Sequence, residues 1–217
     1  MLSWWEDAFS EGHTDARPPS ARGRSKLRLK TPKRSPRAWT EAQFREILLH
    51  VKAAPECVEW NRHHLEALVQ TVYYTGARIT GLLACGLEHL ADGYVYLPAE
   101  SSKTDEEKPC QVPAWLIDRL LRLHRPVGDT RLFPLPFTVS TLRAHLKRVL
   151  TAAGLPAGRR DLFHKIRRTS GTAVAKIAGM AAAQEHLGHS DPATTLAYVD
   201  KTQTETNKLN WLADLRG

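Results

Sequence analysis

Two stretches decide how this chain is read: HKIRRTSGT, from His164 to Thr172, and LGHSDPATTLAYVD, from Leu187 to Asp200. On a helix, His164 and Arg167 stand at i and i+3. An imidazole and a guanidinium then share one face, within reach of one anion. Asp191-Pro192 joins an N-cap residue to a proline at the first helical position, which opens a short helix reaching Tyr198. A helix is expected over Leu162 to Ala178, ahead of that turn.

Working outward, the same helical grammar recurs. Thr40 with Gln43 three residues later forms a capping-box pattern before Phe44, Ile47, Leu48 and Val51. A second helix is expected from about Trp60 to Thr75, with Leu65, Leu68, Val69 and Val72 on one face and Gly76 as its stop. A short one should follow from Arg78 to about Ala84. Tyr94 to Leu97 alternates as a strand, and Cys110 to Val112 is its candidate hairpin partner across the polar stretch Ser101 to Lys108. Further helices fit Trp115 to Leu123, Val139 to Ala152 (ended by Gly154) and the amphipathic Thr204 to Leu215. The expected fold class is α+β, mainly α-helical, with one small antiparallel sheet. No internal repeat is visible.

The chain has 217 residues, a formal charge of +8 and 42% apolar residues. That supports a sizeable core in one or two domains. No apolar run is long enough to span a bilayer. Met1 to Asp15 carries Glu6, Asp7, Glu11 and Asp15 with no Lys or Arg, the wrong charge for a secretory signal. Cys57, Cys85 and Cys110 form no CxxC pair, which argues against a disulfide framework or a cysteine zinc site. His186 and His189 share a helical face but lack a third ligand at zinc spacing, so no metal site is assigned.

The charge is unevenly placed. Ala16 to Thr40 holds nine basic residues and no acid: Arg17, Arg22, Arg24, Lys26, Arg28, Lys30, Lys33, Arg34 and Arg37. The remainder after Thr40 is only +3. With Pro18, Pro19, Pro32 and Pro36, this segment cannot bury a core; it reads as an arm neutralising DNA phosphates or as a solvated linker. Residues 1–37 are therefore set apart from the folded body, 38–217.

A third stretch, TGARITGLL from Thr75 to Leu83, places Arg78 after a glycine at a helix start, where backbone N–H groups favour an anion. Two arginines converging on one phosphate would stabilise five-coordinate phosphorus, and a nearby tyrosine hydroxyl could attack it. Together with SSKT at Ser101 to Thr104, these motifs in this order resemble the catalytic domain of the tyrosine recombinases, the phage-integrase family, over about Ala38 to Gly217.

The resemblance implies a DNA breaking–rejoining fold and site-specific recombination of double-stranded DNA through a covalent 3′-phosphotyrosine. It implies no cofactor and no Mg²⁺, a homo-oligomer of up to four chains on DNA, no membrane, and a cytoplasmic, nucleoid-associated location. Arg78 and Arg167 match the arginines that clamp the scissile phosphate, and His164 the histidine that helps move the nucleophile's proton. His189 matches the second histidine, Tyr198 the nucleophile, and Lys103 the hairpin lysine that protonates the leaving oxygen, with Lys108 its runner-up. The arm residues Arg22 to Arg37 would lie along the DNA backbone. Two departures stand out. Gly81 replaces an acid that the family usually carries, and only the basic segment and a short acidic stretch occupy the place of an N-terminal core-binding domain. They support the alternative of a DNA-binding remnant without strand exchange.

Overall fold

The computed structural model describes residues 8–9, 11–14, 37–54, 62–99 and 107–204. The chain divides into two compact units, Met1–Arg34 and Ser35–Gly217. In the first, a turn is closed by the His13 N–H donating to the Ala8 carbonyl at 2.8 Å.

The second unit carries eight helices among its described residues: α1 (Glu41–Lys52), α2 (Arg62–Thr75), α3 (Ile79–Leu83), α4 (Ala114–Leu121), α5 (Val139–Ala152), α6 (Phe163–Leu187), α7 (Pro192–Tyr198) and α8 (Lys201–Thr204). Between α3 and α4 lies an antiparallel sheet ordered β1 (Leu90–Ala91), β2 (Tyr94–Leu97), β3 (Lys108–Gln111). Among the described residues no helix is long and apolar enough to cross a membrane.

The expected capping box is formed. The Thr40 hydroxyl accepts the Gln43 N–H at 3.2 Å, and Gln43 Oε1 accepts the Thr40 N–H at 3.0 Å. α1 then buries Phe44, Ile47 and Val51. α2 is the central element, packed against α1, α4, α6 and β3. Its apolar face is the one expected, yet Glu66, Gln70, Thr71 and Thr75 are buried too. They are satisfied locally: Arg119 binds the Glu66 carboxylate at 2.5 Å and Gln70 at 3.0 Å, while Thr71 and Thr75 donate to carbonyls one turn back. Burying polar groups is tolerated because each has a partner. Leu68 of α2 shares one core with Leu116, Leu142, Leu146 and Ile166, each worth roughly 1.5–3 kcal/mol on burial.

The hairpin begins earlier than its expected partner strand. β3 starts at Lys108, because Leu97 pairs with Lys108 and Val95 with Cys110. β1, unforeseen in the sequence reading, joins β2 through Asp92 and Gly93, both with positive φ (51° and 84°). That Asp-Gly pair is a type I′ hairpin signal that was present in the sequence. α4 also stops at Leu121, short of Leu123. The Arg125 guanidinium takes the carbonyls of Leu120, Leu121 and Leu123 at 2.6, 3.3 and 2.8 Å, ending the helix there.

α6 is broken at Gly179, whose φ of 88° and ψ of 175° are open essentially only to glycine. Ser170 and His186 sit sixteen positions apart, about 24 Å along a straight helix. Their side chains instead meet at 2.6 Å. The chain therefore doubles back at Gly179, and the arm of α6 before it matches the expected helix ending at Ala178. The terminal helix expected from Thr204 to Leu215 lies, beyond Thr204, outside the described residues.

Candidate active site

Gly76 follows α2 with φ of 59° and turns the chain so that Arg78 caps the start of α3. Its tightness is required twice over: a Cβ there would stand 2.6 Å from His186 Nε2. The Gly76 carbonyl accepts a hydrogen bond from the buried Arg167 guanidinium on α6. A second Arg167 nitrogen donates to the Leu187 carbonyl at 2.6 Å. Arg167, on the first arm of α6, is thus held between the turn after α2 and the end of the doubled-back helix, beside Arg78. Burial, and then the Arg78 charge, pull the Arg167 guanidinium below its ordinary pKa, although it keeps its proton.

His189, just past the end of α6, receives the same Arg167 nitrogen on Nε2 at 3.4 Å. A guanidinium only donates, so Nε2 accepts and the ring proton sits on Nδ1. Nδ1 lies 3.0 Å from the hydroxyl of the buried Thr195. Burial and the charges of Arg167, Arg78 and Lys108 pull His189 down to about 4, which keeps it neutral at physiological pH. Desolvation first, and then the charges of Arg168, Arg167 and Arg78, lower the pKa of His164 as well.

Asp191 starts α7 by accepting the Ala193 N–H at 2.9 Å. This helix brings Tyr198 between the two histidines, its ring edge-on to His164 at 5.0 Å and to His189 at 5.3 Å. The Tyr198 hydroxyl donates to the His164 carbonyl at 3.0 Å. Burial raises its pKa, while Arg167 and Arg168 pull the other way.

The open side is a cavity of about 300 Å³ lined by Arg78, Arg143, Arg159, His164 and Arg167 among others, with no carboxylate among the described residues that line it. Four guanidiniums with no carboxylate among the described lining residues favour an anion there. On the sheet side, a cavity of about 40 Å³ lies between Gly81, Lys108, Arg78 and Arg167. Lys108 Nζ donates to the His186 carbonyl at 2.5 Å, and burial lowers its pKa.

Comparison with protein-family models and with curated proteins finds no match. Solved structures do match. The XerA recombinase aligns with 86% of this chain at a TM-score of 0.62 and 20% identity. A lambda integrase dimer bound to a COC′ core site aligns with 95% at 0.64 and 20%. The catalytic domain of bacteriophage HP1 integrase aligns with 82% at 0.60 and 17%. The chain has the fold of the tyrosine recombinase catalytic domain. It spans 65% of the XerA chain and 59% of the lambda integrase chain, but 93% of the isolated HP1 catalytic domain.

Within this fold, Arg78, His164 and Arg167 line one cationic cavity, and His189 and Tyr198 join them through contacts with Arg167 and His164. Lys103 lies outside the described residues, as do the arm residues Arg22, Arg24, Lys26, Arg28, Lys30, Lys33 and Arg34; Arg37 is described. Lys108 is the described hairpin lysine at the arginine pair. Among the described residues no group of three metal-ligating side chains occurs, and His186 turns its ring to Ser170. Sequence reasoning passed over Arg143 and Arg159, exposed residues with no motif of their own, Arg168, which lies within HKIRRTSGT but off the His164–Arg167 spacing, and Thr195, whose role exists only where α7 meets His189.

Proposed function

We propose that this chain is a site-specific DNA recombinase that cleaves and rejoins duplex DNA through a 3′-phosphotyrosine. The observation that carries the reading is the meeting of Tyr198 with His164, Arg167 and His189 beside a cationic cavity completed by Arg78. Arg78 and Arg167 bind the non-bridging oxygens of the scissile phosphate and stabilise the added charge of the five-coordinate state. Neutral His164 takes the Tyr198 proton as Oη bonds to phosphorus. His189, fixed by Thr195, hydrogen-bonds a phosphate oxygen. The bond from phosphorus to the 5′ oxygen breaks, and that oxygen takes a proton from Lys103; Lys108, beside the arginine pair, is the other candidate. The tyrosyl ester conserves the phosphodiester's energy, so a 5′ hydroxyl reverses the step without ATP or a metal.

The partner is double-stranded DNA, with the arm Arg22 to Arg37 lying along its backbone and up to four copies assembled on it. The lambda integrase of the same fold is described as a tetramer bound to a Holliday junction. Action on the chromosome would place the protein in the cytoplasm with the nucleoid. A second reading, a DNA-binding remnant without strand exchange, draws on the small cavity beside Gly81.

A nicked suicide substrate separates them. The proposal expects a covalent protein–DNA adduct that resists denaturant, persists with EDTA and disappears in Tyr198→Phe. DNA binding without adduct would leave the remnant.

A further inference from the structure

A nucleophile must be held, yet α7 has little to hold it: of its seven residues only Thr195 is buried. The restraint comes from the polar side. Arg168, on α6 next to Arg167, donates from Nε to the Tyr198 carbonyl at 3.1 Å. Its guanidinium carbon lies 5.1 Å from the Tyr198 ring centre, within cation–π range. Another of its nitrogens donates to the Arg37 carbonyl at 3.5 Å.

The residues after Tyr198 are tied to the same place. Asp200 is 1% exposed, and its carboxylate accepts from the Ala38 N–H at 2.9 Å and the Thr202 hydroxyl at 2.7 Å. The Arg37 guanidinium also reaches the Thr202 hydroxyl, at 2.7 Å. Residues 37–38, at the exit of the basic segment, are thus clasped to residues 198–202, and Arg168 bridges the two.

We infer that Arg168 is the positioning residue of Tyr198, holding the nucleophile's backbone and ring through one guanidinium anchored on the chain's entry at Arg37. The inference rests on the proposed role of Tyr198. The same charge favours the tyrosinate. The other charged or titratable groups facing Tyr198 are Arg78, Arg167, His164 and His189; besides burial, Arg168 also holds the His164 pKa down, so its loss raises both pKa values and moves the pH midpoint in the same direction.

The test uses the full chain, a nicked duplex suicide substrate and two variants, Arg168→Gln and Arg168→Lys, with circular dichroism confirming that each folds. At saturating DNA, Arg168→Gln should form adduct about 10- to 100-fold more slowly, the cost of one charge-assisted hydrogen bond. Its rate-against-pH midpoint should move to higher pH, with DNA affinity changed less than about threefold. Arg168→Lys should restore the pH midpoint but not the full rate, because an ammonium cannot reproduce the fork. If Arg168→Gln does not fold, the lysine variant alone decides. Wild-type rate in that variant would overturn the inference. So would an unmoved pH midpoint in a folded Arg168→Gln, or a rate loss that saturating DNA repairs. Absence of adduct in the wild type would overturn the role of Tyr198 and this inference with it. Wild-type adduct with an unaffected Arg168→Gln would overturn the inference alone.

Discussion

His186 should make the stability of this domain fall steeply in mild acid. Its ring is tucked between Ser170, 2.6 Å from Nε2, and the backbone of Gly76, and it faces Lys108 and Arg167. Burial first, and then those two cations, pull its pKa from 6.5 to about 4. Above about pH 6.5 the ring is neutral in both folded and unfolded chains and contributes no pH dependence. Between 6.5 and 4 the unfolded chain binds a proton that the folded one refuses, so stability drops as pH falls; below 4 both are charged and the slope vanishes. A shift of that size corresponds to about 3 kcal/mol in all, at no more than about 1.4 kcal/mol per pH unit. The perturbation is His186→Gln, which fills the site without titrating. Urea unfolding of both proteins in half-unit steps from pH 7.5 to 4 gives the difference in stability, from which the other histidines cancel. The wild-type advantage at neutral pH should shrink by about 3 kcal/mol across that window. A difference that stays flat would refute the burial and charge argument.

Other consequences are as direct. Gly179→Ala adds a side chain in open space but forces it into a glycine-only conformation, so denaturant melts should show a loss of about 1–3 kcal/mol. Replacing Lys103 or Lys108 by Ala should slow cleavage for whichever lysine protonates the leaving oxygen. A bridging 5′ sulfur, which leaves as a thiolate without a proton, should restore that variant's rate and not the other's. Deleting Arg22 to Arg34 removes seven basic residues; the slope of log affinity against log salt should flatten by up to about 6, and an unchanged slope would show that the arm does not touch DNA. Thr195→Val removes the partner of His189 Nδ1. Adduct formation should slow by about tenfold at unchanged DNA affinity, the weight of one lost hydrogen bond.

Much was legible because it is local. The Thr40 box, the Asp191-Pro192 start and the apolar spacing of α5 concern residues within one or two turns, and Val139–Ala152 was located to the residue. The Asp92-Gly93 turn was equally local and went unread, so β1 was missed. What escaped for a physical reason was long-range. The burial of polar residues on α2 has no local signal, because the partner of Glu66 and Gln70 is Arg119 on another helix. The choice between Lys103 and Lys108 depends on hairpin pairing, which spacing alone leaves loose.

The amino-acid sequence by itself determined the helical class, the small sheet and the residues able to handle a phosphate, since side-chain chemistry and helix grammar are written within a few residues. Only the tertiary structure decided that α6 reverses at Gly179, that Arg167 spans Gly76 and Leu187, and that Tyr198 is gripped by Arg168 against Arg37. Those arrangements are set by packing between segments far apart in the chain. Burial there turns ordinary arginines and histidines into a site with lowered pKa values, an effect that no local pattern encodes.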